Sequence, residues 1–321
     1  MIKCFFLNKK WASWAWGGAL LLVFSLLIQV SITVQINGWY KGFYDLLQKA
    51  NKSNISEFWI KIKQFCYYAF PYVLLATFTS YFTRIYALRW REAITFSYIP
   101  LWRSTEAKVE GSAQRIQEDT SRFAKIVESL GLQVVRAMMT LIAFIPILWG
   151  LSSGVQIQAV KNVPGLLVWL SLVVSLGGLI ISWFVGIKLP GLEYNNQKIE
   201  AKFRKELVYA EDDIKNYGNE TIIAELFTGI KFNYHRLYLH YGYFDIWINI
   251  YDQFMVIVPY LVMAPSLFAG VITLGVIIQI SNAFQKVQES FSLFVNNWTT
   301  ITELRSIFRR LKEFEKAINL N

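Results

Sequence analysis

This chain of 321 residues carries only two cysteines, two histidines and seven prolines. Cys4 and Cys66 are too few and too far apart for a disulfide framework, and they read as inert thiols. His235 and His240 lie five positions apart, so on a helix they point about 140° away from each other and form no metal pair. Their tyrosine neighbours suit interface anchoring; a proton relay is the other reading. None of the 18 glycines is followed by lysine. The chain therefore lacks the Gly-x-x-x-x-Gly-Lys-Ser/Thr loop that cradles phosphates, and ATP binding by that route is excluded. No Ser/His/Asp or Cys/His arrangement appears, so a transporter rather than an enzyme is expected, with no catalytic residue, cofactor or metal. Charge is also scarce: 17% of residues are charged, 55% are hydrophobic and 17% are aromatic. A water-soluble domain rarely shows that balance.

The apolar residues are bunched into runs. Stretches of roughly 20 predict six membrane spans, near residues 11–36, 65–88, 127–150, 163–187, 246–264 and 267–284. The last two are separated only by Pro265-Ser266. The N-terminal run is too long for a cleavable signal and is followed by no small-residue cleavage site before Gln35. With the N-terminus inside, 24 lysines and arginines fall in the inside segments 1–10, 89–125, 188–240 and 286–321. Six fall outside, and Arg84 and Arg136 lie within spans. This asymmetry places both termini in the cytoplasm. It also accounts for the net charge of +10 without a nucleic-acid partner.

The long inside segments 89–125 and 188–240 keep helical periodicity and lack linker composition. They read as membrane helices that continue into the cytoplasm and turn back there. The expected fold is all-α and polytopic, one transmembrane domain over residues 1–321, with six long helices, no nucleotide-binding domain, and a closing amphipathic basic helix over 303–318.

Each inside segment carries a ladder of acids. Glu110 and Glu128 lie 18 positions apart, five whole turns on a regular helix. Glu193 and Glu211 repeat that spacing, with Glu200 about 20° from their face. Carboxylates stacked at membrane depth repel one another and resist ionising, which suits them to carry protons. A plain solvated face is the other reading. Asp245, Asn249 and Asp252 make one face of the fifth span polar, for conduction or for pairing, for instance with Arg136. Trp39, Tyr40, Phe43 and Tyr44 fit an interfacial aromatic belt. Alternatively, Trp39 and Phe43 share a helical face at an outer mouth that stacks on incoming side chains, with Asp45 offset to take a basic group.

Several ordered runs carry a resemblance. They include Trp39-Tyr40-Lys41-Gly42-Phe43-Tyr44-Asp45-Leu46-Leu47-Gln48, Leu88-Arg89-Trp90-Arg91, and Glu110-Gly111-Ser112-Ala113-Gln114-Arg115-Ile116-Gln117-Glu118-Asp119-Thr120. Met139-Thr140-Leu141-Ile142-Ala143-Phe144, Val185 to Glu193, Arg204 to Asp213, Gly270-Val271-Ile272-Thr273-Leu274-Gly275 and Trp298 to Leu304 follow. Together they resemble the SbmA/BacA family of bacterial inner-membrane peptide transporters. The resemblance implies an intertwined homodimer in the lipid bilayer, with the transmembrane fold of ABC exporters and no nucleotide-binding domain. It implies proton-driven import of antimicrobial and related peptides. It also places the family's cavity glutamates on Glu118, Glu128, Glu193, Glu200 and Glu211. Periodicity selects four of these independently; Glu118 falls about 80° from Glu110.

Family members of this kind carry a further N-terminal hydrophobic segment, expected to be missing here while the proton-coupled core is retained. The related peroxisomal fatty-acyl half-transporters share the Trp-Tyr/Phe-Tyr-Asp and Gln-Arg-Ile-x-x-Asp patterns but continue into an ATPase domain. Here the chain is expected to stop after Arg309-Arg310-Leu311-Lys312, about where that domain would begin. A permease subunit of an ATP-driven lipid or acyl exporter, with its ATPase on a separate chain, is the alternative function.

Overall fold

The computed structural model describes residues 1–105, 111–155, 163–214 and 217–318. Every regular element among them is helical: α1 (Ile2–Phe6), α2 (Ala12–Gln48), α3 (Ile55–Ser104), α4 (Ser112–Gln114), α5 (Thr120–Leu151), α6 (Leu166–Gly186), α7 (Leu189–Asp212), α8 (Glu220–Phe268), α9 (Leu274–Asn296) and α10 (Trp298–Ala317). One π-helical turn, Arg115–Asp119, joins α4 to α5. At 1.5 Å per residue, the 50 residues of α3 span about 75 Å, far more than a hydrocarbon core of about 30 Å. α8, at 49 residues, is nearly as long, whereas the 21 residues of α6 come to about 32 Å, little more than that core.

Among the described residues, four helical stretches are long and apolar enough to cross a membrane: Ala12–Gln48, Ser112–Gly154, Leu166–Asp212 and Glu220–Phe268. They account for four of the six expected spans. α3 and α9 cover the expected 65–88 and most of 267–284, yet fall short in apolarity. Tyr67, Tyr68, Tyr72, Thr77, Thr79, Thr83 and Arg84 interrupt α3, and Gln279, Asn282, Gln285 and Lys286 interrupt α9.

One boundary moves. The expected break at Pro265-Ser266 lies inside α8, which runs on to Phe268. Pro265 gives up a helix donor, but its carbonyl still accepts from Ala269 N at 3.0 Å. The break comes at Gly270, whose φ of 71° an L side chain rarely adopts, with Val271 N returning to Ser266 O at 3.0 Å. α9 therefore starts at Leu274, seven residues later than expected.

The fold's contacts divide the chain into two units. The first comprises Met1–Ser175 and Val256–Asn321, the second Leu176–Met255. In the first, α1, α2, α3, α5 and α10 share an aromatic core. Phe5 stacks on Trp90 at 5.4 Å and meets Tyr86 edge-on at 5.3 Å. The Tyr86 hydroxyl donates to Ala15 O at 2.9 Å, and its ring lies against Gly18, where an added Cβ would sit 2.6 Å away. Phe123, Ile307, Leu311 and Phe314 close the same core from α5 and α10.

The second unit holds the end of α6, all of α7 and the first part of α8. The Tyr251 ring covers Gly178 so closely that any side chain there would collide with it. Trp247 stacks on Tyr251 at 5.8 Å and donates from Nε1 to Ser182 Oγ at 2.8 Å.

Candidate functional site

The inward face of α5 buries Phe123, Ala124 and Leu130, and Glu128 sits among them, only 7% exposed. The Thr83 hydroxyl of α3 lies beside Glu128, but neither Glu128 Oε1 nor Thr83 Oγ1 completes a hydrogen bond of ordinary geometry. Buried polar atoms are nearly always hydrogen-bonded, because an unmade bond costs about 1–3 kcal/mol. A carboxyl group left incompletely bonded at this position is the chain's foremost candidate for a functional group.

Glu118 is set differently. It lies on the π-helical turn, half-exposed, with Arg122 at 2.7 Å and Gln114 Nε2 at 3.2 Å. Arg122 also pairs with Glu303 of α10 at 3.0 Å. The next residue, Asp119, is buried and receives a fork from Arg310, whose Nε and Nη2 lie 2.9 and 2.7 Å from its two oxygens. This hydrogen bonding raises Arg310 above the ordinary arginine pKa, against the opposing effect of its own burial.

The π turn also corrects the first acidic ladder. The five-turn spacing of Glu110 and Glu128 presumes 3.6 residues per turn throughout, whereas the wider turn at Arg115–Asp119 falls between them and shifts the phase. Glu110 itself lies outside the described residues. The second ladder keeps its geometry. Glu193, Glu200 and Glu211 all stand on the unbroken α7, so Glu193 and Glu211 share one face over five turns. Glu193 and Glu200 are half-exposed and Glu211 exposed.

The polar face of α8 is exposed at Asp245, Asn249 and Asp252, with Asn249 Nδ2 donating to Asp245 O at 2.8 Å. His240 Nδ1 lies 2.9 Å from Arg236 O, and its ring meets Tyr243 at 6.1 Å.

The aromatic run ending α2 has definite partners. Trp39 is buried, stacks on Phe43 at 4.6 Å, touches Phe65 of α3 at 4.9 Å and donates from Nε1 to Lys61 O at 2.9 Å. Asp45 Oδ1 accepts from Gly275 N at 3.1 Å, and Gln48 Oε1 accepts from Leu274 N at 3.1 Å. The end of α2 thus caps the start of α9. A Cβ at Gly275 would run into Lys41 O and the Asp45 carboxylate.

A polar cavity of about 350 Å³ lies between α2, α5 and α9, lined by Gln29, Gln133, Arg136, Thr140, Lys286 and Glu289 among others. Arg136 Nη2 donates to Gln29 Oε1 at 2.9 Å. Gln29 Nε2 in turn donates to Thr79 Oγ1 at 2.8 Å, beside Ser25. The one signal of this cluster in the sequence is polar residues within apolar runs; of these, Arg136 was singled out and Gln29 was not.

Residues 8–319 match the profile of the SbmA/BacA-like family. The chain belongs to that family. It is 26% identical to the inner membrane ABC transporter ATP-binding protein YddA of Escherichia coli (strain K12), over 92% of this chain and 56% of that protein. It is 28% identical to ABC transporter D family member 2, chloroplastic, of Arabidopsis thaliana, over 93% of this chain and 42% of the relative. An uncharacterized ABC transporter ATP-binding protein of Synechocystis sp., sll0182, shows 23% identity over 98% of this chain and 48% of its own length. The chain spans about half the length of the curated relatives it matches. SbmA/BacA-like membership and the apolar helices together make it a membrane protein of a transporter family.

Some of the runs that carry the resemblance, all in the first unit, meet in space. Those of α2 and the start of α9 join through Asp45 and Gly275. Arg91 Nη2 donates to Gln117 O at 3.0 Å, and Arg122 reaches Glu303.

Proposed function

We propose that this chain is a secondary transporter that imports peptides across the bacterial inner membrane, driven by the proton gradient and working as an intertwined homodimer of six-span protomers. Both termini would lie in the cytoplasm. The observation that carries the reading is Glu128, a buried carboxyl with an unpartnered oxygen on an apolar helix. Such a group is placed to take up and release a proton as its surroundings change. Glu118, Glu193, Glu200 and Glu211 would line the route in the dimer and draw in cationic, extended peptides by charge rather than by side-chain readout. Protonation of Glu128 would ease repulsion between facing carboxylates and let the protomers approach, closing one side.

The outer-mouth role of Trp39, Phe43 and Asp45 belongs to the same proposal. It has to share these side chains with the packing described above: Phe43 and Asp45 keep part of their surface open, whereas Trp39 does not.

The names of the relatives, ABC transporters and their ATP-binding proteins, favour a second reading, a permease powered by an ATPase on a separate chain, with lipids or acyl chains as its expected cargo. Peptide uptake into cells depleted of ATP, with the proton gradient held constant, separates the two. Uptake should persist without ATP and collapse with a protonophore. Uptake that tracks ATP and ignores the protonophore supports the permease.

A further inference from the structure

The cavity between α2, α5 and α9 has a charge the acidic ladders do not have. Arg136, Lys286 and Glu289 line it, an excess of one positive charge. Lys286 Nζ and Glu289 Oε2 are 2.6 Å apart and neutralise each other. The Arg136 guanidinium is in no ion pair among the described residues; its partner is the neutral amide of Gln29.

That amide is fixed in one orientation. Thr79 Oγ1 spends its proton on Leu75 O at 2.7 Å and so accepts from Gln29 Nε2. The Gln29 oxygen must then face Arg136. Gln29 is 1% exposed, Thr79 4% and Ser25 3%, so the support is built into the helix interface. One N–H of Arg136 is held from behind, and the rest of its fork is left for a ligand. Amides and hydroxyls surround it: Gln133 accepts from Asn297 at 3.1 Å, and Thr140 donates to Arg136 O at 2.8 Å.

We propose that this cavity holds the carboxylate at the C-terminal end of a peptide cargo, with Arg136 as the binding residue and Gln29 as its positioning residue. The proposal rests on the peptide-transport reading and deepens it. The acidic ladders attract the cationic part of an extended peptide, and a separate cation takes the one anionic group that every unmodified peptide carries. A volume of about 350 Å³ falls at the lower end of small-ligand sites and suits a terminal residue rather than a whole peptide. A fatty acid presents the same carboxylate, but Gln29, Gln133, Thr140, Ser290 and Asn297 offer this cavity amides and hydroxyls that a peptide backbone can use and an acyl chain cannot.

The test is equilibrium binding to the purified full chain in detergent. The probes are one fluorescent cationic hexapeptide with a free C-terminus, the same peptide as its C-terminal amide, and a long-chain fatty acid. Proteoliposome uptake of the free-acid peptide runs in parallel. A charge-assisted fork predicts that the free acid binds roughly tenfold tighter than the amide. Arg136→Gln should abolish that difference, Arg136→Lys should keep part of it, and the fatty acid should not compete. Equal binding of acid and amide by the wild-type chain overturns the proposal without any variant, even where uptake is intact. Discrimination without uptake keeps the carboxylate site and removes the transport reading. Displacement of the peptide by the fatty acid at similar concentration reassigns the site to acyl chains, and binding of none of the three removes it.

Discussion

Asp45 Oδ1 accepts a hydrogen bond from Gly275 N at 3.1 Å, across 230 positions of sequence, and so caps α9 with the end of α2. A free amide at a helix start needs such a partner. Asp45→Ala should therefore lower stability by about 1 kcal/mol, read as the temperature at which half the detergent-solubilised protein aggregates, while Asp45→Asn should cost less. Gly275→Ala should cost more than either, because its Cβ has nowhere to go. An unchanged midpoint for Gly275→Ala would contradict the close approach.

The Asp119–Arg310 fork makes an asymmetric prediction. Arg310→Ala strands a carboxylate that is 3% exposed and should cost about 3 kcal/mol. Asp119→Ala leaves a guanidinium that is 44% exposed and can turn to water, so its loss should be nearer 1 kcal/mol. The double variant should fall well short of the sum. Equal single-variant losses would argue against the burial difference.

Trp39 separates packing from recognition. Its ring is buried between α2 and α3, so Trp39→Ala should cost about 3–5 kcal/mol and reduce the yield of folded protein. Phe43→Ala should be milder. If the pair acts at an outer mouth as well, Phe43→Ala should raise the concentration needed for half-maximal uptake at unchanged yield. Loss of uptake and yield in step would leave packing alone.

What could be read from the chain, and what could not, divides along sequence distance. Apolar runs gave α2, α5, α6 and α8, and the acids of α7 fell on one face because that helix is regular. Two local surprises concern backbone geometry. The wide turn at Arg115–Asp119 breaks a phase that assumed uniform helix, and α8 ends at Gly270 rather than at Pro265. The larger omissions are partnerships. Asp119 meets Arg310 from 191 positions away, and Gln29 meets Arg136 from 107. No periodicity within one helix reports such pairs, so Asp119 appeared only as part of a motif and Gln29 not at all. Glu128 was legible as an acid at the edge of an apolar run; its unpartnered oxygen was not.

The central claim is that a proton moving through Glu128 drives uptake. The most direct measurement is accumulation of a labelled cationic peptide in ATP-free proteoliposomes under an imposed pH gradient, comparing the wild-type chain with Glu128→Gln. The account predicts accumulation by the wild type that vanishes with a protonophore. It also predicts none by Glu128→Gln, with reconstitution yield and thermal midpoint preserved. Wild-type rates in Glu128→Gln, or wild-type accumulation indifferent to the pH gradient, would contradict it.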